Sequence, residues 1–445
     1  MLVMLSDLHL SDGTTSYNPS PQAFEILGKE IEDSAKHNAA QELQIVLLGD
    51  IFDVVRTDWW FDKDNVQANQ RPWYGIDPIT GLNTNPAEVE RQFKAVLEKV
   101  LAHPSSQAFI TMLDGLPACA NGNNPKITYV LGNHDRALNN FPDLQDLVRE
   151  QFSKVGVTFS NSFTDPNYAL FARHGHEWDD NCNARLLLQK VLQKKKKWDR
   201  MDPQINMVMA IGEVITAELM SGLVYRIGES NNAALASMIK GVDNLRPATD
   251  VFKWLDWQAR GHGLGKPEKT LLEDMLGEAI TGVVDSDLGK LWDKVQTDFL
   301  VSGDVVDRLQ LVRTALSKFG FDGLGSVAKL FHSSNNPATD QDEYYEGAKE
   351  EFENEGDAIQ YVLYGHTHCA RHDYFAGNVD GRIRMYINTG TYLPLVRGTD
   401  DGKGFAKSHQ MTLAFFYRDD EDQQGRSGSG PTMDLWNGIK RKEYE

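Results

Sequence analysis

Four short apolar runs set the frame of this 445-residue chain, and each ends abruptly in a polar cluster. Leu2-Val3-Met4-Leu5 runs into Asp7, and Ile45-Val46-Leu47-Leu48 runs into Asp50. Ile127-Thr128-Tyr129-Val130-Leu131 leads to Asn133, and Tyr361-Val362-Leu363-Tyr364 leads to His366. Short apolar runs with little polar alternation read as buried strands, with the polar residues on turns at their C-terminal ends. Between them, helical apolar spacing predicts helices over about 21–38, 86–102 and 142–153. Each has a proline near its start, where the missing N–H costs nothing. Further strands are expected over 168–171, 382–387 and 411–417. Alternation of strand and helix implies an α/β sandwich with a site along the strand ends.

The interval between the fourth and fifth polar clusters reads differently. Val208, Ile211, Ile215, Leu219 and Leu223 recur every three or four residues, the pattern of a helix with one apolar face, expected over 206–227. A second helical stretch is expected over 288–319. The chain therefore divides into a first core part at 1–182, a helical cap inserted at 183–356, and a second core part at 357–445. After Asp419 the chain turns acidic and then Gly/Ser-rich, which predicts a loose segment up to Met433.

Charge narrows the partners. Lys+Arg total 45 against 64 Asp+Glu, a net −19 that repels nucleic acid at long range. Anionic substrates stay open, because bound divalent ions reverse the local field. Cys119, Cys182 and Cys369 are far apart and form neither a paired metal motif nor a disulfide framework, which fits a reducing compartment. The run at 2–5 is too short for a signal segment, and no stretch is expected to reach the ~20 apolar residues of a membrane span. A cytoplasmic location is expected, with peripheral membrane contact left open.

Five polar clusters carry the chemistry: Asp7-Leu8-His9, Gly49-Asp50-Ile51-Phe52-Asp53, Gly132-Asn133-His134-Asp135, His174-Gly175-His176 and Gly365-His366-Thr367-His368. A carboxylate between two ions, flanked by imidazoles and one amide oxygen, builds a pair of hard-to-borderline cation sites. The clusters contain no thiolate, which suits Mn²⁺ first, with Fe²⁺ or catalytic Zn²⁺ as alternatives. Two such ions, roughly 3.5–4 Å apart, stabilise the entering and leaving oxygens of a phosphoryl displacement and acidify water.

Taken in order, the clusters resemble the calcineurin-like metallophosphoesterase family, with its D-x-H, GD-x-x-D, GNHD, HG-H and GHTH motifs. The resemblance covers about 1–180 and 358–395. It implies a four-layer α-β-β-α sandwich, with Asp7, His9 and His368 on one ion and Asn133, His174 and His366 on the other. Asp50 would bridge the two. It further implies that His134 contacts phosphate and protonates the leaving oxygen, with Asp53 orienting its imidazole. A hydroxide between the ions is then the nucleophile, and no covalent phosphoenzyme forms. Within the family, 6–11 and 49–53 are most similar to bacterial UDP-2,3-diacylglucosamine pyrophosphohydrolases. The chain departs from those enzymes at His134, where they carry Arg, and in its much longer cap, so their substrate does not carry over. Asn388-Thr389-Gly390-Thr391-Tyr392 resembles a segment of bacterial members that closes the site without ligating metal.

The expected activity is hydrolysis of phosphodiester or pyrophosphate bonds in a small or lipid-linked substrate. Monoester phosphatase, nuclease and a metal-retaining partner-binding scaffold are the alternatives. For substrate contacts, Arg56, Trp59 and Arg71 on the loop after Asp53 offer stacking and a guanidinium, unless that loop is simply anchored by its own aromatics. His176 is either a phosphate contact or a hydrogen-bonding residue behind the ligands. Met207, Met209 and Met220 fit a helix–helix core or an acyl pocket.

Overall fold

The computed structural model describes residues 1–119, 122–239, 241–295, 304–321, 324, 342–375, 383–399, 401–418, 420–421 and 431–440. The chain is mixed α/β with two mixed sheets. It lays down β1 (Leu2–Leu5), β2 (Gln44–Leu48), β3 (Lys126–Val130) and β4 (Gly156–Ser160) as parallel neighbours of the first sheet. Five strands of the second sheet follow: β5 (Phe163–Asp165), β6 (Leu170–Ala172), β7 (Tyr361–Tyr364), β8 (Arg371–Phe375) and β9 (Arg384–Asn388). The chain then returns to the first sheet with β10 (Pro394–Gly398), β11 (Phe405–Tyr417) and β12 (Thr432–Lys440).

Register decides where the polar clusters meet. Leu5 stands opposite Leu47, and Leu48 opposite Val130, so β1, β2 and β3 end at one level. In the second sheet β6, β7 and β9 are also parallel neighbours, with Ala172 opposite Leu363 and Tyr364 opposite Asn388. Two levelled strand ends, one per sheet, thus present their turns together.

Strand alternation sorts the apolar side chains between layers. Leu2, Met4, Val46, Leu48 and Val130 join Leu170, Ala172, Leu363 and Ile387 of the second sheet in one buried cluster. Their neighbours Val3, Leu5, Ile45, Leu47 and Ile127 point the other way, into a core shared with Phe24 and Leu27 of helix Pro21–His37 and with Phe93 of helix Pro86–Ala102. Prolines open both helices, and also helix Pro142–Arg149, as the sequence predicts. On the outer face of the second sheet, Phe171, Val362, Tyr364 and Tyr386 pack on Ala348 and Phe352 of helix Glu343–Glu355. That helix falls inside the interval assigned to the cap, yet it buries its apolar side on the sheet.

The rest of the cap is helical among the described residues, including Val251–Gly261, Lys266–Val284 and Val305–Phe319. The helix expected over 206–227 is not one regular helix. It runs as a 3-10 turn at Pro203–Met207, an α turn at Ile211–Val214, a π-helical segment at Ile215–Ser221 and an α-helix at Gly222–Glu229. The stretch expected over 288–319 comprises Asp287–Trp292 and Val305–Phe319, and 296–303 lie outside the described residues. Contrary to the sequence expectation, Pro203–Glu229 is long and apolar enough to cross a membrane, although 72% of its apolar window is buried inside the protein.

The loop after Asp53 is held by that segment. Arg71 Nη1 donates to Glu218 Oε1 at 2.6 Å, and Trp73 Nε1 donates to the same oxygen at 2.8 Å. Glu218 is fully buried, and Arg71 nearly so. Removing one partner of a buried pair strands the other charge, so Arg71→Ala is expected to cost about 3–5 kcal/mol. A urea midpoint lowered at constant m-value is the measurement. An unchanged midpoint would show that the loop does not rely on this pair.

Candidate metal centre

All five polar clusters lie on turns at the levelled strand ends, and their backbone is unusual. Asp7, His9, Asp50, His366 and His368 have φ of 52°, 45°, 54°, 67° and 60°, the left-handed region. For a residue with a Cβ this costs of order 1–3 kcal/mol, so the surroundings must enforce it. The enforcement is visible. His366 N donates to both Asp7 carboxylate oxygens at 3.1 and 2.9 Å, and His134 N donates to Asp50 Oδ1 at 2.8 Å. Asp7 N and His9 N donate to the carbonyls of Gly49 and Asp50. Three glycines complete the interlock. A Cβ at Gly49 would strike the His174 imidazole, one at Gly132 would strike Asp50, and one at Gly365 would strike Asp7.

These turns bring two groups of donors together. In the first, His9 Nε2 lies 2.8 Å from His368 Nε2, and Asp7 Oδ1 lies 3.7 and 3.5 Å from those two nitrogens. In the second, Asp50, His174 and His366 converge, with His174 Nε2 3.3 Å from Asp50 Oδ2. Asp50 Oδ2 is also 3.6 Å from His9 Nε2, so one carboxylate stands between the groups. Asn133 Oδ1 is buried beside them without a hydrogen-bond partner, as is His174 Nε2. The opposite ring nitrogen of His174, Nδ1, donates to Leu48 O at 2.8 Å, so Nε2 is the nitrogen that offers a lone pair once the ring is neutral. A buried acceptor without a partner costs about 1–3 kcal/mol, a cost that a bound cation removes. The donor set therefore fits divalent cations.

Electrostatics point the same way. Burial pushes the Asp50 carboxyl up, but His174, His134 and His9 more than offset this and hold it well below the usual range. Burial lowers the His174 pKa, while the Asp50 and Asp7 carboxylates carry it up to about 10. The metal-free protein thus keeps a proton on His174 at neutral pH. A cation bound there must expel that proton. Calorimetric titration with Mn²⁺ at pH 7.5 in buffers of different ionisation enthalpy should show proton release, with affinity rising as pH rises. Binding that releases no protons would contradict His174 as a ligand.

Behind the donors, Asp53 is fully buried and lies against two imidazoles. Its Oδ2 accepts from His9 Nδ1 at 2.8 Å and lies 2.8 Å from His134 Nδ1. Its Oδ1 accepts from the backbone N–H groups of Val55 and Arg56. The residue expected to orient His134 is thus hydrogen-bonded to His9, with the His134 ring beside it. Residues 388–392 close over the first turn, with Thr391 Oγ1 donating to Asp7 O at 2.7 Å and Thr389 Oγ1 2.6 Å from Ser6 Oγ.

A cavity of about 450 Å³ opens onto this centre, and Asp50, Asn133, His134, His366 and His368 are among its lining residues. Of the expected substrate contacts, Arg56 lines it, 3.4 Å from Asp243 through Nη1. Trp59 and Arg71 do not, and here the sequence expectation is corrected. Trp59 is buried edge-on against Trp60, and Arg71 is spent on Glu218, so the loop is anchored by its own aromatics. His176 also stands back from the cavity, 3.4 Å from Asn206 through Nε2. Burial carries its pKa down to about 4, which leaves it neutral behind the donor groups. Two wall residues had no assigned role: Asp179, 3.3 Å from His366 Nε2, and Arg246, whose Nη2 lies 2.8 Å from the His368 ring nitrogens. Asp179 follows the His174 cluster closely enough to have been suspected. Arg246 has no local signal in the cap.

No protein-family model matches this chain, and no curated protein matches it.

Proposed function

We propose that this chain is a phosphoesterase that works with two divalent cations and cleaves phosphodiester or pyrophosphate bonds. In this reading it is a calcineurin-like metallophosphoesterase with a four-layer α-β-β-α sandwich. The observation that carries it is the convergence of Asp7, His9, His368, His174 and His366 around one shared carboxylate, Asp50, with the orphaned Asn133 oxygen beside them. Asp7, His9 and His368 would hold one cation, Asn133, His174 and His366 the other, and Asp50 both. Mn²⁺ suits this mixture of oxygen and imidazole donors, with Fe²⁺ or Zn²⁺ as alternatives. Bound there, the cations supply Lewis-acid charge to phosphoryl oxygens and acidify water.

The remaining chemistry falls to side chains. His134 lines the cavity with Nδ1 against Asp53. Burial lowers its pKa, but Asp53 and Asp50 more than offset this and raise it, which favours the protonated imidazole that can give a proton to a leaving oxygen. Arg56 and Arg246 line the same cavity and offer guanidinium donors to a phosphoryl group. The net charge of −19 disfavours a nuclease. The test is hydrolysis of bis(p-nitrophenyl) phosphate beside p-nitrophenyl phosphate after Mn²⁺ reconstitution. Faster diester turnover supports the reading, and monoester preference moves it to a phosphatase. No turnover of either by protein carrying two ions would count against an enzyme.

A further inference from the structure

Beside the His366 ring, the cavity wall carries two donors that lie outside the five polar clusters, Asp179 and Cys182. Asp179 Oδ2 stands 3.3 Å from His366 Nε2, and the Cys182 thiol is hydrogen-bonded to the Asp179 carboxylate. One ligand atom from each of the three residues lies within 4.8 Å of the other two. All three border the cavity and none is completely buried, so an ion can reach them. A tight turn builds the pair. Asn181 N donates to Asp179 Oδ1 at 2.8 Å, and Cys182 N donates to Asp179 O at 3.0 Å. Gly212 N in turn donates to Asn181 O, and a Cβ at Gly212 would lie 2.8 Å from Cys182 Sγ, so the thiol is held in place.

The 3.3 Å spacing suits an intervening ion better than a direct bond. A charge-assisted hydrogen bond from imidazole to carboxylate is ordinarily about 2.7–2.9 Å. Tetrahedral Zn²⁺, with bonds of roughly 2.0–2.2 Å to nitrogen and oxygen, sets those ligand atoms about 3.3–3.6 Å apart. Sulfur, imidazole and carboxylate together favour Zn²⁺ over Mn²⁺. We infer that Asp179, Cys182 and His366 form a Zn²⁺ site adjoining the metal centre. On binding, Zn²⁺ takes the thiolate sulfur, and the thiol proton passes to solvent. His366 also belongs to the group with Asp50 and His174, so Zn²⁺ here competes for its imidazole. Zn²⁺ thereby inhibits the enzyme, a consequence that, unlike the site, rests on the phosphoesterase reading.

Co²⁺ reports the site, because thiolate ligation gives it an intense near-ultraviolet charge-transfer band. Added to Mn²⁺-loaded protein, Co²⁺ is expected to produce that band, and Zn²⁺ to bleach it. The band should disappear in Cys182→Ser and persist in Cys369→Ser. Zn²⁺ should also protect Cys182 of the unaltered protein from alkylation, read by peptide mass. Asp179→Asn should weaken Zn²⁺ by at least the roughly 10–100-fold that loss of an outer-shell partner costs. With bis(p-nitrophenyl) phosphate, Cys182→Ser should keep the Mn²⁺ rate and need far more Zn²⁺ for half-inhibition. No band together with no protection overturns the site, whatever the protein hydrolyses. A band, with Zn²⁺ inhibition unchanged in Cys182→Ser, overturns the inhibitory role. A band in protein that hydrolyses neither nitrophenyl ester supports the site and overturns the phosphoesterase reading, and the inhibitory role with it.

Discussion

Asp50→Asn is expected to abolish turnover and to empty at least one cation site. Asp50 is the carboxylate that, among the described residues, stands between the two donor groups, 3.6 Å from His9 Nε2 and 3.3 Å from His174 Nε2. Asparagine keeps its volume and an oxygen to accept the His134 N–H, so the turn should persist. In the proposed reading, what disappears is the negative charge shared by the two cations. Loss of several kcal/mol of charge stabilisation corresponds to a rate lower by ~10³-fold or more. Metal content by mass spectrometry should fall below two ions per chain, while circular dichroism and the thermal transition report a folded protein. Two tightly bound ions together with normal turnover in this variant would end the assignment.

The second large effect belongs to His134, and its signature is a dependence on leaving group. His134→Ala removes an imidazole that points Nδ1 at Asp53, but the proposed ligands Asp7, His9, His174, His366 and His368 keep their own contacts. Both cations should therefore stay. A general acid contributes typically ~10²–10⁴-fold, and mostly where the departing oxygen is basic. p-Nitrophenolate departs without help, so its esters should lose little, whereas alkyl esters should lose most of their rate. A plot of rate against leaving-group pKa should steepen in the variant, and an unchanged slope would remove His134 from the acid role. Asp53→Asn gives an informative contrast. Because Asp53 also holds His9, that variant should show the steeper slope together with metal affinity weaker by about 10–100-fold.

Much of the architecture was legible because its causes are local. A buried parallel strand has no solvent face, so β1, β2, β3 and β7 appear in the chain as short apolar runs. Prolines at 21, 86 and 142 open helices for a reason contained in one residue's ring. β12 was missed because the Gly/Ser-rich, acidic segment before it suggested a loose tail. Thr432–Lys440 becomes a strand only through pairing along β11. The aromatic loop was legible as an anchored loop or a substrate grip, and only packing chose between them. Arg71 meets Glu218 across 147 positions of sequence, a pairing that no local pattern encodes.

At the candidate site the division is sharper. By itself, the sequence determined which residue types stand at the ends of which strands: Asp7 and His9, Asp50 and Asp53, Asn133 and His134, His174, and His366 with His368. It determined too that small glycines precede Asp50, Asn133 and His366. Each of these follows from short-range chemistry, an apolar strand giving way to a turn. Tertiary structure alone decided that β1, β2 and β3 end level with one another, that β6, β7 and β9 do the same in a second sheet, and that both sets of turns share Asp50. It alone placed Arg246 against His368 across 122 positions, and set part of Ile215–Ser221, a segment that leaves the regular α geometry, along the cavity. Such contacts depend on how whole layers pack, and the free energy that selects one packing is spread over the buried apolar surface rather than over any motif.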